Sequence, residues 1–224
     1  MKKAVLFDLD GTLANTLPDL AFATNHALEE NGFAPCPLDA YPHMVGNGAR
    51  VLVERALGQK MTPANTELVL DSFLRIYDQT CLDQVCLYPG IDDAICLLKV
   101  NGFRLLVVTN KPQAQAEKII RHFFGETLME GIYGGRPDRP KKPDPTAVHM
   151  ALTAVHVLPE NAWFVGDSDV DVQTAAASGM RCVGAAWGFR GEKELRQAGA
   201  DYVASSPQDM LQHILREQRG SKEE

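Results

Sequence analysis

Asp8 and Asp10 flank a single leucine in Leu6-Phe7-Asp8-Leu9-Asp10-Gly11-Thr12-Leu13, directly after an apolar run and before a glycine. Carboxylates crowded in this way repel one another unless a cation intervenes. Three further clusters carry compatible chemistry: Thr109-Asn110-Lys111, Arg139-Pro140-Lys141-Lys142-Pro143 and Gly166-Asp167-Ser168-Asp169-Val170-Asp171. Hard carboxylate oxygens, with few histidines and no paired cysteines, favour Mg2+ over zinc. Mg2+ keeps part of its water and takes a phosphate oxygen as partner, while a lysine and a hydroxyl on the same rim would hold the remaining phosphate oxygens. A free carboxylate beside them could attack and form an aspartyl-phosphate. The second carboxylate, two residues on, could protonate the leaving oxygen and later activate water. Two acids with separate tasks need different environments, and the cation supplies that asymmetry.

Strand ends must bring these clusters together. The runs Ala4–Phe7, Leu105–Val108, Trp163–Val165 and Cys182–Ala185 are continuously apolar, as strands buried on both faces are. Helical patterns over 112–124, 145–156 and 168–178, the last ending at Gly179, separate the later runs. This alternation predicts an α/β fold, a Rossmann-like parallel sheet with helices on both faces. In such sheets ligands bind beyond the carboxyl ends of the strands, where Asp8-Leu9-Asp10, Thr109-Asn110 and Gly166-Asp167 all fall.

Residues 16–88 interrupt the alternation with helical periodicity and no strand pattern. Leu17, Leu20, Ala21, Thr24, Ala27 and Leu28 share one helix face closed by Asn31-Gly32, and Leu70, Phe73, Leu74 and Tyr77 form a second stripe. The expected organisation is a core of residues 1–15 and 89–224 with an all-helical cap, 16–88, inserted after the first strand. Tyr88-Pro89-Gly90 reads as the turn back, and residues 220–224 as a frayed tail.

A formal net charge of −7 argues against a nucleic-acid or anionic-membrane partner. No apolar run approaches membrane-spanning length. The five cysteines lack CxxC spacing and read as reduced, mostly buried thiols of a cytoplasmic protein.

The four stretches Asp8–Leu13, Val108–Asn110, Lys141–Pro145 and Gly166–Asp171 resemble, in order and spacing, the haloacid dehalogenase superfamily over essentially the whole chain. Val45–Leu57, which carries Gly46-Asn47-Gly48, and Gly184–Phe189 resemble its phosphoglycolate phosphatase subfamily, with a helical cap. That resemblance implies roles residue by residue. Asp8 is the nucleophile and a metal ligand. Asp10 is the general acid/base and gives the metal its backbone carbonyl. Thr109 and the Asn110 backbone bind the phosphoryl group, Lys142 neutralises it, Asp167 is the second carboxylate ligand, and Asp171 orients Lys142 or metal-bound water. Asn47 is a further substrate contact in the cap. Asp10 argues against carbon–halogen chemistry. The resemblance implies a Mg2+-dependent hydrolase of a small phosphorylated metabolite, 2-phosphoglycolate first, working as a monomer or homodimer. Sugar-phosphate phosphatase, pyrophosphatase, phosphomutase and a binding module without catalysis are the alternatives.

Structural readings compete at several positions. Thr109-Asn110 could cap the helix near Pro112. Lys141 could take the role of Lys142, although the following proline and the family register favour Lys142. Asp169 reads as a first-turn helix acid, Arg50 as an exposed helix charge, and His149 and His156 as surface histidines. Arg136-Pro137-Asp138-Arg139 is expected near the mouth of the site.

Overall fold

Strands with no polar alternation fold where both faces are covered. In the computed structural model, which describes residues 2–220, the four apolar runs lie in one six-stranded sheet. The chain runs β1 (Lys3–Phe7), β2 (Ala14–Asn15), α1 (Leu17–Glu30), α2 (Tyr41–Met44), α3 (Ala49–Leu57), α4 (Pro63–Thr80), β3 (Cys86–Leu87), α5 (Ile91–Val100), β4 (Phe103–Pro112), α6 (Gln113–Phe124), β5 (Gly131–Gly135) and α7 (Thr146–Val155). It continues with β6 (Ala162–Gly166), α8 (Asp169–Ala177), β7 (Arg181–Ala185), α9 (Gly191–Ala198), β8 (Tyr202–Ala204) and α10 (Pro207–Gly220).

The sheet order is β5-β4-β1-β6-β7-β8, and every pairing is parallel. Val5 and Phe7 of β1 pack with α5, α6 and α10, whereas Ala4 and Leu6 face α7 and α8. All four are fully buried, and burying a side chain as large as Val, Leu or Phe contributes about 1.5–3 kcal/mol. The edge strands β5 and β8 are short and lack a continuous apolar run, so the sequence pattern does not announce them.

Along the chain, helices α1 to α4 follow β1 and precede the other strands of the six-stranded sheet. The expected stripes are their packing faces: Leu20, Ala21, Thr24, Ala27 and Leu28 of α1, and Phe73 and Tyr77 of α4, are buried. The two chain passages into and out of this layer are tied together. Ala14 and Asn15, at the end of the expected core segment, pair antiparallel with Leu87 and Cys86, a short strand inside the stretch expected to be wholly helical. Buried Asp19 accepts hydrogen bonds from the Gln84 and Val85 amides, and the Tyr88 amide bonds the Leu13 carbonyl.

All five cysteines are free, but only Cys81 and Cys182 are buried; Cys86 and Cys96 are exposed, contrary to the mostly buried set expected. No described helix is long and apolar enough to cross a membrane. Residues 221–224 of the expected frayed tail lie outside the described residues.

Candidate active site

The carboxyl ends of β1, β4 and β6 are neighbours in the sheet, which brings Asp8, Thr109 and Asp167 to one rim. Asp8 follows β1 directly, and its amide bonds the Val165 carbonyl of β6, fixing where the side chain starts. Gly11, at φ 81°, turns the chain away, and any Cβ there would overlap the Asp167 carboxylate.

Lys142 reaches this rim from the loop before α7. Its Nζ lies 2.9 Å from Asp8 Oδ1 and 2.6 Å from Asp171 Oδ1, with all three side chains buried. Asp171 sits in the first turn of α8, where Oδ2 accepts from the amide and hydroxyl of Ser168 in a capping box. The Asn110 side chain holds the Lys142 main chain from both sides, accepting from its amide at 2.8 Å and donating to its carbonyl at 3.1 Å. The same amide group donates to the Gly46 carbonyl between α2 and α3. Lys142 is therefore the buried lysine, while Lys141 is exposed and lies against Gly48.

Burial pushes Asp8 up to about 6, with Asp171 and Asp10 adding to the shift and Lys142 opposing it. Burial also raises Asp167 well above the usual carboxylate range, helped by Asp171 and Asp8 and opposed by the Phe189 amide. Burial works against the Lys142 ammonium, yet Asp171 and Asp8 outweigh it and hold the lysine charged. For the two acids burial is the largest cause, and neighbouring negative charge adds to it.

Four carboxylates, Asp8, Asp10, Asp167 and Asp171, face two buried ammonium groups, Lys111 and Lys142. The excess is two negative charges, which one divalent cation would cancel. Asp8, Asp167 and Asp171 each offer an oxygen within 4.8 Å of the others. Both Asp171 oxygens are already taken by Lys142 and Ser168. Asp8 Oδ1 is buried and has no partner among the described residues beyond its ion pair with Lys142 at 2.9 Å. This all-oxygen set fits a hard divalent cation.

The Asp10 carboxylate lies outside that triad. Its Oδ1 accepts from Thr16 Oγ1 at 2.6 Å and from Lys111 Nζ at 2.7 Å. Asp8 and Asp10 thus have the separate surroundings that separate tasks require. They line a cavity of about 30 Å3 with Thr109, Asn110 and Lys111 of the core and Leu20, Val45, Gly46, Gly48, Leu52, Phe73 and Tyr77 of the α1–α4 layer.

Several expectations are settled by placement. Thr109 and Asn110 lie on β4, and neither side chain caps α6. Asn47 is not at this cavity: it lines a separate open depression with His43, Arg55, Asp169 and Arg190, because the Gly46–Gly48 turn presents its glycines inward. Asp169 stands in the first turn of α8 and accepts from Gln173, and Arg50 pairs with Glu67 on the surface. His149 and His156 are exposed. Arg136 pairs with Asp138, while Arg139 bonds the Gly134 carbonyl and lies over Tyr133; these residues line a depression beside β5 and not the cavity mouth.

Thr16, Tyr77 and Lys111 join the site without having been singled out as site residues by the motifs. The signal for Lys111 was its strand period, which puts position 111 on the face of 109. Tyr77 closes a stripe that reads as core. From the later Gly184–Phe189 stretch, the Phe189 amide bonds Asp167 Oδ2 at 2.8 Å and Trp187 bonds the Thr12 carbonyl.

A parallel sheet with an acid–lysine cluster on its carboxyl rim, covered by a helical layer, is an α/β enzyme scaffold whose all-oxygen site fits a hard divalent cation. Residues 5–185 match the model of the haloacid dehalogenase-like hydrolase family, and the chain belongs to that family. It is an enzyme of the phosphatase class. A phosphoglycolate phosphatase of Colwellia psychrerythraea is 34% identical over 221 residues, spanning 96% of this chain and 98% of that one. One from Pseudomonas putida is 36% identical over 198 residues, spanning 84% and 71%. The crystal structure of a candidate phosphoglycolate phosphatase from Lactobacillus delbrueckii subsp. bulgaricus superposes with a TM-score of 0.90 at 27% identity, covering 96% of this chain and 99% of that one.

Proposed function

We propose that this phosphatase hydrolyses a small phosphomonoester, 2-phosphoglycolate first, through an aspartyl-phosphate on Asp8, with residues 16–88 acting as a cap on a core of 1–15 and 89–224. The observation that carries the reading is the pairing of two unlike carboxylates: Asp8 against Lys142 and Asp167, and Asp10 against Thr16 and Lys111. The names of the relatives supply the substrate.

In this reading the Asp8 carboxylate attacks phosphorus and the ester oxygen leaves with a proton from Asp10. Asp10, now ionised, takes a proton from the water that attacks the phosphoaspartate, releasing phosphate and restoring Asp8. Lys142 balances charge on the transferring group, and Asp171 holds Lys142 there. Thr109 and the Asn110 backbone position the phosphoryl oxygens, because the Asn110 side chain is committed to Lys142 and Gly46. Mg2+, held by Asp8, Asp167 and the Asp10 carbonyl, would neutralise phosphate charge and favour in-line geometry.

A phosphate-release screen of 2-phosphoglycolate, hexose phosphates, pyrophosphate and nucleotides, each with and without Mg2+, tests it. The expected result is Mg2+-dependent release with the highest kcat/KM on 2-phosphoglycolate. A hexose phosphate isomerised without phosphate release would replace the hydrolase by a mutase.

A further inference from the structure

We infer that Lys111, together with Tyr77 and the amino end of α3, forms a subsite for the non-reacting anionic group of the substrate, so that the enzyme selects small phosphorylated carboxylic acids over neutral phosphate esters. The inference rests on the phosphatase reading above and deepens it.

Lys111 is the less saturated of the two buried lysines. Lys142 lies between two carboxylates, whereas Lys111, with a side chain 1% exposed, gives one hydrogen bond among the described residues, to Asp10 Oδ1. An ammonium has three donors, and burying one is costly unless they are used. Its other close partner is the Tyr77 ring, 4.7 Å from Nζ to the centroid. Both residues line the cavity that Asp8 opens onto.

Two further observations point to an anion at that wall. The Tyr77 hydroxyl is fully buried and has no hydrogen-bond partner among the described residues. Burial, with Asp10 and other neighbouring anions adding to it, keeps that hydroxyl protonated, so it can only gain by donating to an arriving acceptor. Across the cavity, α3 begins at Gly48 with no side-chain cap among the described residues, and Gly48 and Ala49 line the same space. A helix start offers free amides and the positive end of the dipole.

The lining contributed by the α1–α4 layer is otherwise apolar: Leu20, Val45, Leu52 and Phe73. A neutral ester would leave the Tyr77 hydroxyl, and the ammonium donors beyond the Asp10 pair, unanswered there. Thr109, assigned to the phosphoryl group, and Lys111 stand two residues apart on β4 and line the same cavity.

The test is a specificity ratio, kcat/KM for 2-phosphoglycolate over kcat/KM for ethyl phosphate, with Mg2+ present. Lys111→Met should lower this ratio by ten- to a hundredfold, whatever it does to the absolute rates, because only the acid loses a charged partner. Tyr77→Phe removes a single hydroxyl and should lower the ratio at least threefold. A wild-type ratio near one would overturn the substrate reading and the subsite with it. A high wild-type ratio that folded Lys111→Met leaves within threefold overturns the subsite alone. If Lys111→Met does not fold, Tyr77→Phe decides in the same way.

Discussion

Asp8 has a lysine–aspartate pair on either side, and the two are held differently. Lys142 and Asp171 belong wholly to the sheet and its helices: Asp171 is locked by the Ser168 capping box, and Lys142 by the Asn110 side chain. Lys111 and Asp10 face the α1–α4 layer, with Thr16 and Tyr77 as neighbours and an open cavity beside them. The first pair is fixed machinery. The second depends on a different part of the chain and can trade partners. In the proposed reading, chemistry common to all substrates falls to the fixed side, and selection among them to the side that the helical layer completes.

Breaking the fixed side should cost most. Asp8→Asn keeps the shape of the side chain but removes the attacking charge, and should abolish phosphate release while the circular dichroism spectrum stays native. Mg2+-dependent turnover in that variant would sink the aspartyl-phosphate. Asp10→Asn strikes the exchangeable side and should slow turnover by about 10²–10⁴. Steady-state kinetics checks it, and a rate within twofold of wild type would remove Asp10 from the proton path.

The same division explains what could be read in advance. Asp8, Asp10 and Asp167 stand in short stretches whose position at strand ends follows from the apolar runs of a parallel sheet, whereas Lys142 stands in a basic stretch leading into a helix. Edge strands β5 and β8 escaped because a short edge strand needs no long apolar run. Tyr77 escaped because a packing stripe and a cavity wall look alike along a helix. Asn47, expected at the substrate from the resemblance of its Gly-Asn-Gly turn, lines a separate depression, while Gly46 and Gly48 of that turn line the cavity. These are tertiary facts, set by how the helical layer seats on the sheet.

Crowded charge on the fixed side also predicts how pH and metal act together. Asp8 is pushed from 3.8 to about 6, and Asp167 is raised in the same direction. A carboxyl with a raised folded pKa binds its proton more tightly when folded. Its stabilising contribution is complete below the unfolded pKa and is lost as pH rises through about 6. The metal-free protein should therefore lose stability as pH rises from about 4 through about 6 by way of Asp8, with Asp167 acting in the same direction, and Mg2+, which favours their ionised forms, should raise Tm more near neutral pH than near pH 5. Thermal unfolding in Mg2+ and in EDTA at both pH values measures the difference. Equal Mg2+ increments would separate the pKa shifts from the metal.

The smallest effects sharpen the exchangeable side, at neighbouring positions of one turn. Asn47 faces the outer depression, so Asn47→Ala should leave kcat/KM within twofold. Gly48 has φ 88° and ψ 168°, backbone that glycine alone adopts readily, and an added Cβ would stand 2.8 Å from Lys141 Nζ and 3.1 Å from the Asn110 carbonyl oxygen. Gly48→Ala should cost about 1–3 kcal/mol in stability from strain alone. It should also lower kcat/KM severalfold by pushing the α3 turn away from the Asn110 brace. Denaturant unfolding and kinetics on the two variants separate them. If Asn47→Ala proves the more damaging, the turn meets substrate through the Asn47 side chain, and the inward-facing wall must be redrawn around it.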